Sequence, residues 1–197
     1  MLGQWGFRRL TLKTDRRALV PRPETEIVVE RALALIRDMR APRVLDVGIG
    51  SGAIGLAIAD EHVGAQVIGV DTSAEALALA AENAHRLDLP VELREAGIDA
   101  AADGWDLVVA NPPYVKADEW ETLQPEIRDW EPRAALVGAG DEYEQLARTA
   151  RTRWLVLEAG DGQAQTVADA LAAHGYTNIR INLDLAGKER VVEGRRA

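Results

Sequence analysis

Residues 43–71 read Arg43-Val-Leu-Asp-Val-Gly48-Ile-Gly-Ser-Gly52-Ala-Ile-Gly-Leu-Ala-Ile-Ala-Asp60-Glu-His-Val-Gly-Ala-Gln66-Val-Ile-Gly-Val-Asp71. Arg43 to Gly48 is a short β-branched run, the pattern of a fully buried strand. Ser51 to Glu61 carries apolar residues at helical spacing. Gln66 to Asp71 repeats the strand pattern. A strand, a helix and a second strand in this order form the unit of a parallel sheet, because parallel neighbours need a crossover connection.

The same alternation continues downstream. Ser73 is placed to cap a helix running to about Leu87, with Glu75 and Glu82 on its polar face. Val91 to Arg94, Asp106 to Ala110 and Trp154 to Glu158 read as three more strands. A helix from about Gly162 to His174 follows. Asn178 to Asp184 and Glu189 to Glu193 read as a closing antiparallel pair. Upstream, Ile27, Val28, Ala32, Leu35, Ile36 and Met39 predict an amphipathic helix over Glu24 to Arg40, ended by Pro42. Residues 6 to 22 read as two short strands around Thr14-Asp15. The expectation is an α/β protein with a Rossmann-like, mostly parallel sheet covered by helices on both faces. It divides into an N-terminal β-hairpin segment, 1–22, and a main domain, 23–197.

Composition bounds the function. With 197 residues the chain fits one full-sized domain. No apolar run approaches the roughly 20 residues needed to span a bilayer, so no membrane partner is expected. There is no cysteine, which excludes disulfides and thiolate metal sites and fits a cytoplasmic location. His62, His85 and His174 are scattered, and no metal site is expected. The net charge of -9 makes duplex nucleic acid a poor direct partner. The first segment is nevertheless basic, with Arg8, Arg9, Lys13, Arg16, Arg17 and Arg22. It reads either as a hairpin with edge-protecting charges or as a docking edge for an acidic partner.

Parallel sheets bind ligands beyond the carboxyl ends of their strands, and two candidate loops fall there. In the first, Gly48, Gly50 and Gly52 alternate with Ile49 and Ser51, which permits a tight turn and close backbone approach to a ligand. Asp71, at the next strand end, can accept hydrogen bonds from two ribose hydroxyls. Asp46 reads as a carboxylate that orients the loop through backbone amides. In the second loop, Trp105 to Ala110 leads into Asn111-Pro112-Pro113-Tyr114. An amide or aromatic amine is a weak nucleophile because its lone pair is delocalised. The Asn111 oxygen and the Pro112 carbonyl can accept its two N–H groups and orient it. The prolines carry no competing N–H. Tyr114 offers a flat face to a planar group. Together the loops point to S-adenosylmethionine as cofactor and a planar nitrogen as methyl acceptor, with no metal. Glu158, at the fifth strand end, faces the cleft or caps a loop.

These residues resemble the HemK/PrmC family of protein-(glutamine-N5) methyltransferases. The likeness extends to Pro21-Arg22-Pro23-Glu24-Thr25-Glu26, Glu131-Pro132, Leu185-Ala186-Gly187 and Arg190-Val191-Val192. It implies a class I S-adenosylmethionine-dependent methyltransferase fold with a seven-stranded sheet. The implied substrate is the glutamine of the Gly-Gly-Gln motif in peptide chain release factors. Gly48 to Gly52, Asp71, Ile98 and Asn111 would hold the cofactor. Asn111, Pro112, Pro113 and Tyr114 would form the glutamine pocket, with Asn111, Pro112 and Tyr114 catalytic. Pro21 to Glu26 would line the site or cap the following helix. The resemblance also implies a helical domain ahead of the hairpin, or an activating subunit. The family pattern has Thr where Ile49 stands, and an acid followed by an aromatic where Ile98-Asp99 stand. Two other readings stay open: an N6-adenine methyltransferase acting on nucleic acid, and a cofactor-binding protein without catalysis.

Overall fold

The β-branched runs pair as their pattern predicts. In the computed structural model, which describes residues 3–196, seven strands form one sheet: β3 (Arg43–Val47), β4 (Gln66–Asp71), β5 (Val91–Glu95), β6 (Trp105–Ala110), β7 (Thr152–Glu158), β8 (Thr177–Leu183) and β9 (Glu189–Arg195). Their order is β5-β4-β3-β6-β7-β9-β8. β3 to β7 are parallel, and β9 runs antiparallel to both β7 and β8. Residues 1, 2 and 197, which open the expected hairpin segment and close the expected main domain, lie outside the described residues.

Because side chains alternate across a strand, each central strand feeds two cores. Leu45, Ile68, Val108 and Leu155 face α6 (Glu142–Thr149) and α7 (Ala164–Ala173). Val44, Val67, Leu107, Val109 and Val156 face α1 (Glu26–Ile36) and α2 (Ala53–Glu61). The helix α3 (Ala74–Leu87) starts at Ser73, whose hydroxyl accepts the Ala76 N–H at 3.2 Å. Two short helices, α4 (Pro125–Trp130) and α5 (Arg133–Leu136), bridge β6 to α6. Among the described residues no helix is long and apolar enough to cross a membrane.

The N-terminal hairpin differs from its expected register. β1 (Gln4–Phe7) and β2 (Leu10–Lys13) pair with Phe7 opposite Leu10, so the chain turns at Arg8-Arg9 and not at Thr14-Asp15. Packing decides this register. It buries Phe7, Leu10 and Leu12 against α1 and α2. Arg8 takes the left-handed conformation, with φ of 51°. Glu26 accepts its backbone N–H at 2.9 Å, and Glu61 takes its guanidinium through two bonds. Residues 14–22 are therefore not a strand. They form an irregular strap that leads into the Pro23–Thr25 turn. The first helix is also shorter than expected: Pro23–Thr25 is a 3-10 turn, and α1 ends at Ile36.

One charged contact ties α1 to β9 (Glu189–Arg195). Arg31 donates two hydrogen bonds to Glu193 at 2.8 and 3.0 Å, and Glu193 is only 1% exposed. Removing one partner of such a pair leaves a buried charge uncompensated. Arg31→Ala should lower the unfolding free energy by about 3–5 kcal/mol. Arg31→Ala combined with Glu193→Leu should recover most of that loss. Urea denaturation of both variants checks the pair.

Candidate active site

The glycine loop is set by backbone bonds to the neighbouring strand. The Gly48 and Ile49 N–H groups both donate to the Val70 carbonyl, at 2.8 and 2.9 Å. Gly48 and Gly50 have φ of 73° and 57°, a region in which a side chain is strained. The Gly50 N–H donates to Asp71 Oδ2 at 3.0 Å, while Asp71 Oδ1 accepts from the Ser73 N–H at 2.9 Å. Asp71 thereby fixes both its own loop and the glycine loop. Each oxygen keeps a lone pair for a ribose hydroxyl.

Asp46 lies beneath the loop and is 1% exposed. Its Oδ2 accepts the Gly55 N–H at 2.8 Å, which is the orienting role read from the sequence. Its Oδ1 is buried with no partner. Burial pushes its carboxyl up to about 7, the Gly55 bond opposes this, and the charge of Asp71 adds to the rise. The side chain of Ile49 turns down into the fold, where the residue is 4% exposed. A Cβ on Gly69 would lie 2.0 Å from Ile49 Cδ1. Ile49 is thus a packing residue in its side chain, and its backbone supports the loop. That accounts for an apolar residue where the family pattern has a hydroxyl.

A cleft of about 460 Å³ opens between the ends of β3, β4 and β6. Its walls include Gly48 to Ser51, Asp71, Ala96 to Asp99, and Asn111 to Pro113. The Ala96 N–H donates to the Asp71 carbonyl at 3.1 Å, which brings Ile98 to the wall as apolar cover. Ligand clefts span about 300–1,000 Å³, so an adenosine-sized cofactor fits. The lining fits it too: a carboxylate for the ribose, positive-φ glycines for close backbone approach, and apolar cover for the base. Two expected site residues stand outside the wall. Gly52 caps α2 in a left-handed conformation, and a Cβ there would strike Leu56 Cδ1 at 2.6 Å, so the turn and its packing account for this glycine. Tyr114 lies one step beyond, with its carbonyl accepting from Gln163 Nε2 at 3.1 Å. A Cβ on Gly160 would lie 2.9 Å from its ring.

Asn111 follows β6 directly. Its Nδ2 donates to Thr25 Oγ1 at 3.4 Å, and Thr25 makes no capping bond to α1. The hydroxyl of Thr25 therefore serves the cleft. Glu24, by contrast, is exposed. Arg22 forks onto Glu131 at 2.7 and 2.9 Å, with the Glu131 carboxylate largely buried. This pair fastens the strap to the α4–α5 segment, where Pro132 and Ala135 line the cleft. Nothing local in the sequence marks Glu131 as a partner, since 109 residues separate the two. Glu158 ends β7 at 1% exposure with Oε2 unpartnered. Burial pushes its carboxyl up to about 7, against the Thr25 hydrogen bond and the charge of Arg190. The Tyr114 phenol is raised by burial first and by the charge of Glu158 second.

Comparison with known proteins agrees with this geometry. The methyltransferase small domain model matches residues 25–127. Three bacterial proteins named release factor glutamine methyltransferase are similar along the chain. That of Fusobacterium nucleatum is 36% identical over 100% of this chain and 59% of its own length. That of Caulobacter vibrioides is 39% identical over 98% and 71%. That of Geobacter sulfurreducens is 40% identical over 99% and 72%. The chain thus spans roughly three-fifths to three-quarters of these relatives. Among solved structures, the hMettl16 catalytic domain with an RNA hairpin superposes with a TM-score of 0.72, at 14% identity over 94% of this chain and 75% of that one. The Thermus thermophilus 16S rRNA N2 G1207 methyltransferase, solved with AdoMet and guanosine, gives 0.68 at 17% identity over 98% and 50%. At these identities the likeness is one of fold.

Two measurements probe the site's frame. Gly69→Ala should overpack Ile49 and lower stability by about 1–3 kcal/mol. Adding Ile49→Val should relieve part of that loss, and thermal unfolding of the single and double variants reads the coupling. The second concerns Glu158. Its folded-state value lies above the ordinary 4.5, so its stabilising share is fully present below about pH 4.5 and is lost as pH rises through 7. Glu158→Gln removes that dependence. Between about pH 5 and 8 the variant should gain on the wild type by about 2–3 kcal/mol. Urea denaturation at the two pH values tests this, and a constant gap would reject the assignment.

Proposed function

Since the chain belongs to the S-adenosylmethionine-dependent release factor glutamine methyltransferase family, we propose that it methylates the side-chain amide nitrogen of a glutamine in a peptide chain release factor. The glutamine would be that of the Gly-Gly-Gln motif, and such a substrate sets the reaction in the cytoplasm. One observation carries the reading. Asn111 stands at the end of β6 beside the glycine loop at the end of β3, with its Nδ2 engaged by Thr25. Its Oδ1 is thereby left to accept a substrate N–H.

The cofactor supplies an electrophilic methyl group and a neutral thioether leaving group. The protein's task is to hold an amide nitrogen in line with that methyl. Asn111 Oδ1 and the Pro112 carbonyl accept the two amide N–H groups, opposing delocalisation of the lone pair. Pro112 is buried and Pro113 half-buried, and both have restricted φ, so this carbonyl is held in place. Tyr114, packed against Gly160 beyond the cleft wall, would offer its ring face to a planar amide that reaches past Asn111. Bound in the cleft, the cofactor would give its methyl carbon to the nitrogen held by Asn111 and Pro112 and would leave as the thioether. The amide proton leaves afterwards, when the nitrogen is far more acidic, so no strong base is needed. Positioning of this kind supplies up to about 7–11 kcal/mol. A helical domain or an activating subunit beyond this chain would add grip on the release factor.

Labelled S-adenosylmethionine, a release factor, its Gln-to-Ala variant and adenine-containing DNA test the proposal in one assay. Label should enter the wild-type factor alone. Asn111→Ala should lower kcat/KM at least about 100-fold through lost alignment, with the chain still folded by circular dichroism. Label on DNA and none on the factor would overturn the reading.

A further inference from the structure

A shallow depression of about 710 Å³ lies at the ends of the central strands opposite the cleft. It is lined by Arg148, Arg151, Thr152, Arg153, Arg195 and Arg196. The fold brings them together from two distant segments. Arg148 sits in the last turn of α6, Arg151 precedes β7, and Arg153 lies in β7. Arg195 ends β9 and faces Trp154 across the antiparallel pair. The cleft stands at the other end of β7, about 20 Å away at strand rise.

These five guanidinium groups share one depression without a carboxylate among its walls. Among the described residues none of the five forms an ion pair. The basic first segment, in contrast, is largely neutralised internally: Arg8 by Glu61, Arg9 by Asp60, and Lys13 and Arg17 by Glu82 and Asp15. Glu144, one turn before Arg148, is engaged by the His174 ring. Arg196 has a structural task, donating to the Ala150 and His174 carbonyls at 2.8 Å each and capping α6 and α7. Arg195 lies 5.8 Å from the Trp154 ring centroid. Arg148, Arg151, Arg153 and Arg195 are exposed, and no carboxylate answers them. In a chain of net charge -9, four such arginines on one face form a local positive field.

We propose that this face binds the phosphate backbone of a single-stranded nucleic acid. Three features favour that occupant. Guanidinium forks match phosphate oxygens two at a time. The lining offers no apolar pocket for a peptide side chain, which disfavours an acidic protein segment. The charges are spread along an open surface and suit a chain of phosphates better than one small anion. The overall negative charge selects against duplexes, whose charge is denser along the axis than a single strand's. The face lies clear of the cleft, so a strand bound here leaves the methylation site open.

Fluorescence anisotropy with a labelled single-stranded oligonucleotide of about ten nucleotides tests the proposal. Binding should weaken with salt at a log–log slope of about -3, the value for four phosphates on a single strand. Arg151→Gln with Arg153→Gln should weaken binding at least tenfold at low salt and bring the slope to about -1.4. Thermal unfolding and S-adenosylmethionine binding of this variant should match the wild type. RNA and DNA strands binding alike would support recognition through phosphate alone. Undiminished binding by the double variant would overturn the proposal. So would tighter binding of a duplex, or displacement of the strand by equimolar inorganic triphosphate.

Discussion

The structure depends on a reversal in strand order between β3 and β6. From β3 the chain moves outward through β4 to β5, then returns to place β6 on the other side of β3. The connections leaving β3 and β6 therefore run to opposite sides, and a crevice opens beyond the two strand ends. Val47 pairs with Ala110 at the last register of these strands. The residues that follow, Gly48 and Asn111, are neighbours for that reason alone. A turn this close to a cleft floor has to approach its ligand with backbone, which is why Gly48 and Gly50 adopt positive φ.

The loop ends are held by buried polar groups, and these carry a cost. Asp46 and Glu158 are nearly inaccessible, each with an unpartnered oxygen. Burial raises both carboxyls toward neutrality. Such groups destabilise a fold unless something else holds them in place. Here the holding elements are the Gly55 N–H for Asp46 and the Thr25 hydroxyl for Glu158. Thr25 serves Asn111 as well, so one hydroxyl from outside the sheet is shared by two strand ends. The strap carrying Thr25 is in turn fastened through Arg22 to Glu131.

What was legible in the sequence follows from how local its causes are. The parallel strands, the Ser73 cap and the glycine loop rest on short-range patterns, and each stands within a residue or two of its expected place. The turn at Arg8-Arg9 was not legible, because an arginine in the left-handed region carries none of the Gly or Asn signature of a two-residue hairpin. Its conformation is bought by contacts to Glu26 and Glu61 far along the chain. The helices α4, α5 and α6 are too short for periodicity to reveal, at six, four and eight residues. Site residues divide in the same way. Asn111 and Asp71 could be placed by the strand that precedes each. The exclusion of Gly52 and Tyr114 from the cleft wall, and the inward turn of Ile49, depend on packing against Leu56, Gly160 and Gly69. The arginine face was hidden because pairing of β7 with β9 joins residues 148–153 to 195–196.

A reaction catalysed by alignment places a particular demand on such a frame. In the proposed reaction, rate depends on how little the acceptors move when substrate arrives. Each group named in the cleft is already oriented by an atom of the fold: Asp71 by Gly50 and Ser73, Asn111 by Thr25, and the glycine loop by the Val70 carbonyl. Little reorganisation is then left for the reacting complex, since folding has already fixed these geometries. The unpartnered oxygens and the strained turns are the counterpart of that order. Asp46 and Glu158, with Gly48 and Gly50, place part of that counterpart near the carboxyl ends of β3 and β7, while the opposite ends of the central strands are free to present charge to solvent.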